Sequence, residues 1–225
     1  MSNGEYLGSG SGITKGLWHL NGNSTDTSGN GNNGTDTSMT YSLANGRFNQ
    51  GGVFSGSGYI SIPSGGWVGN LTAFTIVAWF KRASDSASQA IYTNGTTASS
   101  IWCFLNLTST GLVNFDSYDG NAGTRANLVS VTSGLGNGLW HNVVAVKSGA
   151  SSRYLYVDGK LEASDLTHNP SLSFNNGYIG AYSVSGGGIA SRFTGSIDEV
   201  IVENVAWSAE KVKKYYTYAK GRFGI

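Results

Sequence analysis

The chain has 225 residues, with 14 Lys and Arg against 13 Asp and Glu for a formal net charge of +1, a balance that argues against a nucleic-acid footprint or a polybasic membrane surface. No stretch approaches the roughly 18 apolar residues of a membrane helix, and the one cysteine, Cys103, excludes an intrachain disulfide. The 34 glycines and two prolines, with many Ser, Thr and Asn, describe short strands and tight turns in one sandwich-sized domain, and no three-residue or longer repeat is present.

Residues 1–12 read as a flexible N-terminal arm and residues 13–225 as the domain. Tyr6 and Leu7 are the arm's candidate anchors on a partner surface. The arm has no basic start and no apolar run, so no signal peptide is recognisable. Residues 17–20 open the first strand, and 22–34 make a long polar loop. Short strands follow at 51–54 and 59–63, around a Gly-Ser-Gly turn at 56–58. Segments 75–80 and 139–146 are apolar on both faces, as expected for strands in the middle of a sheet covered on both sides. Between them, 101–107 and 112–115 read as paired strands. Cys103, flanked by Trp102 and Phe104, reads as a buried structural thiol. Asp116 and Asp119 fall in a turn-like stretch and are expected to cap turns. Asp158-Gly159 is a favourable hairpin dipeptide. Residues 164–176 and 183–190 read as polar loops around a short strand at 178–180.

The stretch 193–207 reads as a closing strand. Simple alternation puts Asp198, Val200 and Val202 on one face, so Asp198 continues an apolar stripe. A buried carboxylate is costly unless it meets a cation or several donors, and a bound metal would resolve that. After the strand comes a short helix with Ser208 as N-cap and Gly221 just past its end. Val212, Tyr215, Tyr216 and Ala219 share one face, which fits a lid on a sheet.

Four stretches together carry a resemblance. Gly195-Ser-Ile-Asp-Glu-Val followed by Trp207-Ser-Ala-Glu, the loop Asp26-Thr-Ser-Gly-Asn-Gly-Asn-Asn-Gly-Thr, Phe74-Thr-Ile-Val-Ala-Trp-Phe-Lys, and Trp140-His-Asn-Val-Val-Ala-Val leading to Leu155-Tyr-Val-Asp-Gly-Lys resemble the motifs of the laminin G-like, concanavalin A-like jelly-roll domains. The resemblance implies an all-β antiparallel sandwich with a short C-terminal helix. It also implies one structural calcium ion joining the N-terminal loop to the last strand, with Asp26 and Asp198 at the matching positions and Asn30 and Asn33 fitting more loosely. A glycine-rich loop can turn oxygens toward such an ion. The alternative is an Asx-type turn with no ion.

The paired carboxylates of jelly-roll glucanases, a Glu-x-Asp-x-x-Glu strand, are absent, and adjacent strand residues such as Asp198 and Glu199 point to opposite faces. His19 and His141 sit beside tryptophans in apolar strands and read as packed, hydrogen-bonded imidazoles. Glycan binding needs aromatic faces beside polar groups; Tyr118, Tyr182, Trp67 and Tyr92 are the candidates. The reading is a non-catalytic surface-recognition module for a glycan or cell-surface polysaccharide, at a virion surface or extracellular, as in a bacteriophage decoration or fibre protein. One alternative is a carbohydrate-active enzyme or its accessory domain. Another is a capsid cement protein, whose partners would be virion proteins or further copies of the chain.

Overall fold

The computed structural model describes residues 13–63, 70–95, 101–119, 124–149, 151–167, 172–173, 176–184 and 187–221. Two antiparallel sheets face each other. The first runs, from one edge, through Lys160–Asp165, Ser152–Val157, Trp140–Ser148, Phe74–Arg82, Thr194–Glu203, Gly51–Ser55 and Thr40–Ser42, with Thr14–Trp18 also paired to Thr194–Glu203. The second runs through Thr124–Val129, Val113–Asp119, Ile101–Leu107, Gln89–Gly95, Gly177–Ile179, Tyr59–Ile62 and Thr35–Thr37. The jelly-roll sandwich expected from the sequence is the observed architecture.

Alternation divides the central strands between two cores. Phe74, Ile76, Ala78 and Phe80 point between the sheets, with Val143 and Ala145 beside them. Val77, Trp79, Val144 and Val146 point outward beside Leu17 and Ile201 of the same sheet, where the helix residues Val212, Tyr215 and Ala219 cover them. Each large apolar side chain so buried contributes roughly 1.5–3 kcal/mol. Strands buried on both faces need this second layer, and the C-terminal helix Ala209–Gly221 supplies it.

The helix starts where its cap allows. Ser208 Oγ accepts a hydrogen bond from Lys211 N at 3.2 Å, satisfying one of the free N–H groups of the first turn. A buried carboxylate ties the helix down: Glu203 Oε2 accepts from Trp207 Nε1 at 2.5 Å and from Lys211 Nζ at 2.9 Å. At the expected hairpin, Asp158 and Gly159 have φ of +49° and +74°, the left-handed pair a two-residue turn requires.

The last strand departs from simple alternation. Thr194–Ile197 pairs with Gly51–Ser55, whereas Val200–Glu203 pairs with Thr14–Trp18. Between these two partners the register against Phe74–Arg82 shifts, and Glu199 takes φ +49°. The bulge re-aims the chain. Val200 and Val202 face the inter-sheet core, but Asp198 lies opposite Trp79 on the helix side. The stripe read from the sequence is thus corrected. So is the expectation that Asp198 and Glu199 diverge, because both charges act on Tyr215 of the helix and on His19.

A second correction concerns residues 116–119. They continue the strand Val113–Asp119, which is hydrogen-bonded on both edges. Asp116 is therefore a mid-strand residue rather than a turn cap.

Candidate functional site

The two outer faces of the sandwich differ. The helix roofs one of them. On the other, the outer face of the seven-stranded sheet, every second residue of the two neighbouring strands Ile101–Leu107 and Val113–Asp119 is aromatic or polar. In Ile101–Leu107, Cys103, Leu105 and Leu107 face the core, which sends Trp102, Phe104 and Asn106 outward. In Val113–Asp119, Val113 and Phe115 face the core, which sends Asn114, Asp116 and Tyr118 outward.

Register brings these residues together. Tyr118 pairs with Trp102 on one side and with Arg125 on the other, and Phe104 pairs with Asp116 and Thr93; cross-strand partners share a face. The rings form a continuous row. Tyr118 lies 5.6 Å from Trp102, Trp102 stacks on Phe104 at 4.5 Å and 20°, and Phe104 stacks on Tyr182 at 5.0 Å and 28°. Phe104, 8% exposed, is sandwiched by its neighbours. The free ring surface belongs to half-buried Trp102, Tyr118 and Tyr182.

Polar groups border the row. Arg125 donates to Asp116 through Nε–Oδ1 at 3.1 Å and Nη2–Oδ2 at 2.6 Å, and its guanidinium carbon stands 5.4 Å from the Trp102 ring. That pairing is the geometry of a planar fork on a carboxylate. It raises the Arg125 pKa further, so the guanidinium stays charged. Nearby, the buried Oδ1 atom of Asn114 has no hydrogen-bond partner among the described residues.

Tyr182 reaches the row because of a glycine. Gly180, at φ +78°, turns the chain at the end of Gly177–Ile179, and a Cβ there would lie 2.4 Å from the Phe54 ring. The chain then crosses the sheet, with Ala181 O accepting from Thr93 Oγ1 at 2.8 Å, and Tyr182–Ser183 pairs with Ile189–Ala190.

Of the residues expected to bind glycan, Tyr118 and Tyr182 meet in this row. Tyr92 does not: it is 0% exposed in the inter-sheet core. A register shift between Ala90 and Tyr92 turns it inward, and its ring offers no face to a ligand. Trp67, Tyr6 and Leu7 lie outside the described residues. Trp102, Phe104 and Arg125 were missed in the sequence, although aromatics on both sides of a core-facing Cys103 are a period-two signal.

The four residues expected to hold calcium do not form one cradle. Asp26 Oδ1 accepts from Leu17 N at 3.0 Å and Ser28 N at 2.9 Å, and its Oδ2 accepts from Asn32 N at 2.9 Å. The Ser28 contact is an Asx turn. Asn33 Oδ1 accepts from Asp26 N at 2.9 Å, and Asn30 Nδ2 donates to Thr14 O at 2.7 Å. Asp198 meets a different set: Arg47 N and Phe48 N at 2.7 and 3.0 Å on Oδ2, and Glu199 N at 2.8 Å on Oδ1. Among the described residues no group of three or more His, Cys, Asp and Glu is arranged to hold a metal. Backbone N–H groups from different segments engage the two carboxylates, those of Leu17, Ser28 and Asn32 at Asp26 and those of Arg47, Phe48 and Glu199 at Asp198.

His19 and His141 are hydrogen-bonded, as expected. His19 Nδ1 is 2.7 Å from Glu199 Oε1, and His141 lies between Asp158 Oδ2 and Asn137 Oδ1 at 2.8 and 3.1 Å.

The two antiparallel sheets and the short C-terminal helix define a jelly-roll β-sandwich. The family model described as the concanavalin A-like lectin/glucanases superfamily matches residues 54–213, and the chain belongs to that family. Among solved structures it is similar to domain 4 of AbnA, a GH43 extracellular arabinanase from Geobacillus stearothermophilus, in complex with arabinotriose. The TM-score is 0.70 at 15% identity, over 90% of this chain and 97% of that one. It is also similar to the binding domain of Paraclostridial Mosquitocidal Protein 1, with TM-score 0.71 and 13% identity over 92% of this chain and 52% of that one, about half its length. A third is the CBM40 of the Ruminococcus gnavus IT-sialidase bound to α2,3 sialyllactose, with TM-score 0.56 and 19% identity over 65% and 84%. At these identities the likeness is one of fold. No curated protein matches the sequence.

Proposed function

We propose that this chain is a non-catalytic glycan-binding domain, and that the ligand lies on the outer face of the seven-stranded sheet along Tyr118, Trp102 and Tyr182. The observation that carries this reading is the row of stacked rings on the sheet face that the helix leaves open. Sugars present apolar C–H patches ringed by hydroxyls, so a binding face needs aromatic surface with donors and acceptors at its margin. Here the margin is the exposed Arg125 guanidinium, held over the Trp102 ring by Asp116. Two of the similar structures contain a bound oligosaccharide, which supports the same reading.

Glycoside hydrolysis uses two carboxyl groups flanking one bond. Among the described residues of this face Asp116 is the one carboxylate, and Arg125 engages both its oxygens. Asp198 and Glu199, although brought to one side by the bulge, are buried at 0% and 9% exposure on the helix side of the other sheet.

The test is a glycan array with the purified chain, then incubation with each bound glycan and analysis for released sugar. Binding that Trp102→Ala and Tyr182→Ala abolish, with no released sugar, is expected. Release of sugar would replace this reading with an enzyme, and binding unaffected by both substitutions would move the site elsewhere.

A further inference from the structure

The same sheet face carries a second group of rings, separated from the first by the chain crossing at Ala181. Tyr178 pairs with Thr93 on one side and with Ser61 on the other, and Thr93 pairs with Phe104. Tyr178 therefore sits two strands from Phe104, about 10 Å away at the usual strand spacing. Thr93 is 0% exposed beneath Ala181, so the two ring groups are separate surfaces. Tyr178 lies 6.1 Å from Tyr59, and both are half-buried.

Arg192 completes the group. Its guanidinium carbon stands 5.9 Å from the centre of the Tyr59 ring, within cation–π range. Arg192 is exposed, and among the described residues it has no carboxylate partner. This distinguishes it from Arg82, Arg125 and Arg153, each of which faces an aspartate. The phenol hydroxyls of Tyr59 and Tyr178 likewise have no hydrogen-bond partner among the described residues. Two apolar rings, two free hydroxyls and an uncompensated planar cation therefore border one patch.

The geometry points to a second binding site, formed by Tyr59, Tyr178 and Arg192, for an acidic sugar whose carboxylate meets the Arg192 guanidinium. A guanidinium laid against a ring keeps its N–H edges available and matches a carboxylate in two places. The rings supply the surface that a sugar's C–H face needs, and a bare inorganic anion would make no use of them. The site draws on residues outside the Tyr118–Tyr182 row, so it stands or fails independently of the function proposed above.

The experiment is an NMR titration of the 15N-labelled chain with sodium D-glucuronate, with D-glucose as the uncharged control and sodium sulfate as the bare anion. Glucuronate is expected to shift the amides of Tyr59, Tyr178 and Arg192 saturably. Arg192→Ala should weaken the interaction by about tenfold or more, and Arg192→Lys should restore it only in part. Added salt should weaken it, as for any exposed charge pair. Equal shifts with glucose would overturn the carboxylate assignment. Equal affinity for sulfate would reduce the site to a bare-anion contact and overturn the sugar assignment. Unchanged glucuronate binding by Arg192→Ala, a surface change that leaves both cores intact, would overturn the site itself. Trp102→Ala should leave this titration unchanged, which separates its outcome from that of the Tyr118–Tyr182 row.

Discussion

Arg125 holds Asp116 through two hydrogen bonds, at 3.1 and 2.6 Å, while its guanidinium carbon stands 5.4 Å from the Trp102 ring. One exposed side chain thus orders both the carboxylate and the largest aromatic of the open face. Arg125→Ala is expected to reduce glycan affinity about tenfold. The melting temperature should also fall, because the substitution leaves the Asp116 carboxylate, 6% exposed, without its cation. Calorimetric titration beside a thermal melt checks both. Intact binding would contradict the assignment.

Trp102 and Tyr92 are expected to respond in opposite ways. Trp102→Ala removes a half-buried ring from the outer face and should weaken glycan binding while leaving the fold intact. Tyr92→Ala empties a site in the inter-sheet core and should cost about 3–5 kcal/mol of stability, as for other large aromatics. Denaturant unfolding of the two variants, compared with array binding, is the measurement. A destabilised Trp102→Ala with a stable Tyr92→Ala would invert the faces assigned here.

Stability should fall as pH rises from about 5 to 8. Burial, aided by the Glu199 charge, pushes the Asp198 carboxyl up from 3.8 to about 7, against three backbone N–H groups that pull it down. A carboxyl that is harder to ionise folded than unfolded contributes most at low pH, and that contribution is lost between its unfolded and folded values. The His19 pKa is raised by its hydrogen bond to Glu199. Its contribution is present below the unfolded value near 6.5 and is lost as pH passes the folded one, so both groups slope the same way. The difference in unfolding free energy between pH 5 and 8 should be on the order of 1 kcal/mol or more. Asp198→Asn should flatten it, whatever the variant's absolute stability. A wild type more stable at pH 8 than at pH 5 would refute this account.

Asp26 orders its loop through backbone amides. Asp26→Ala leaves the N–H groups of Leu17, Ser28 and Asn32 without their acceptor, and each buried donor so orphaned costs about 1–3 kcal/mol. Among the described residues Asp26 accepts from amides alone, and the loss expected from these bonds is the same in EDTA and in calcium. Thermal melts in the two buffers test this. A wild-type midpoint that EDTA lowers and calcium restores would show that the loop takes up the ion in a different arrangement.

The sandwich, its doubly buried central strands, the Asp158-Gly159 turn and the Ser208-capped helix were legible in the sequence because each is written in a local period. Residues 74–80 alternate between two cores, and Val212, Tyr215 and Ala219 recur at helical spacing, whatever lies elsewhere in the chain. The features that decided the site were not local. Asp198 faces the helix because Thr194–Glu203 changes partner at a bulge, from Gly51–Ser55 to Thr14–Trp18. Tyr92 is in the core because its strand shifts register against Ile101–Leu107. Asp116 and Tyr118 lie on a sheet rather than in a turn because Thr124–Val129 covers their second edge. Side-chain direction in a strand has a period of two, so one extra residue in a ladder reverses the facing of every later residue in that strand. Whether that residue is inserted depends on a partner strand distant in sequence, and only the tertiary structure supplies it.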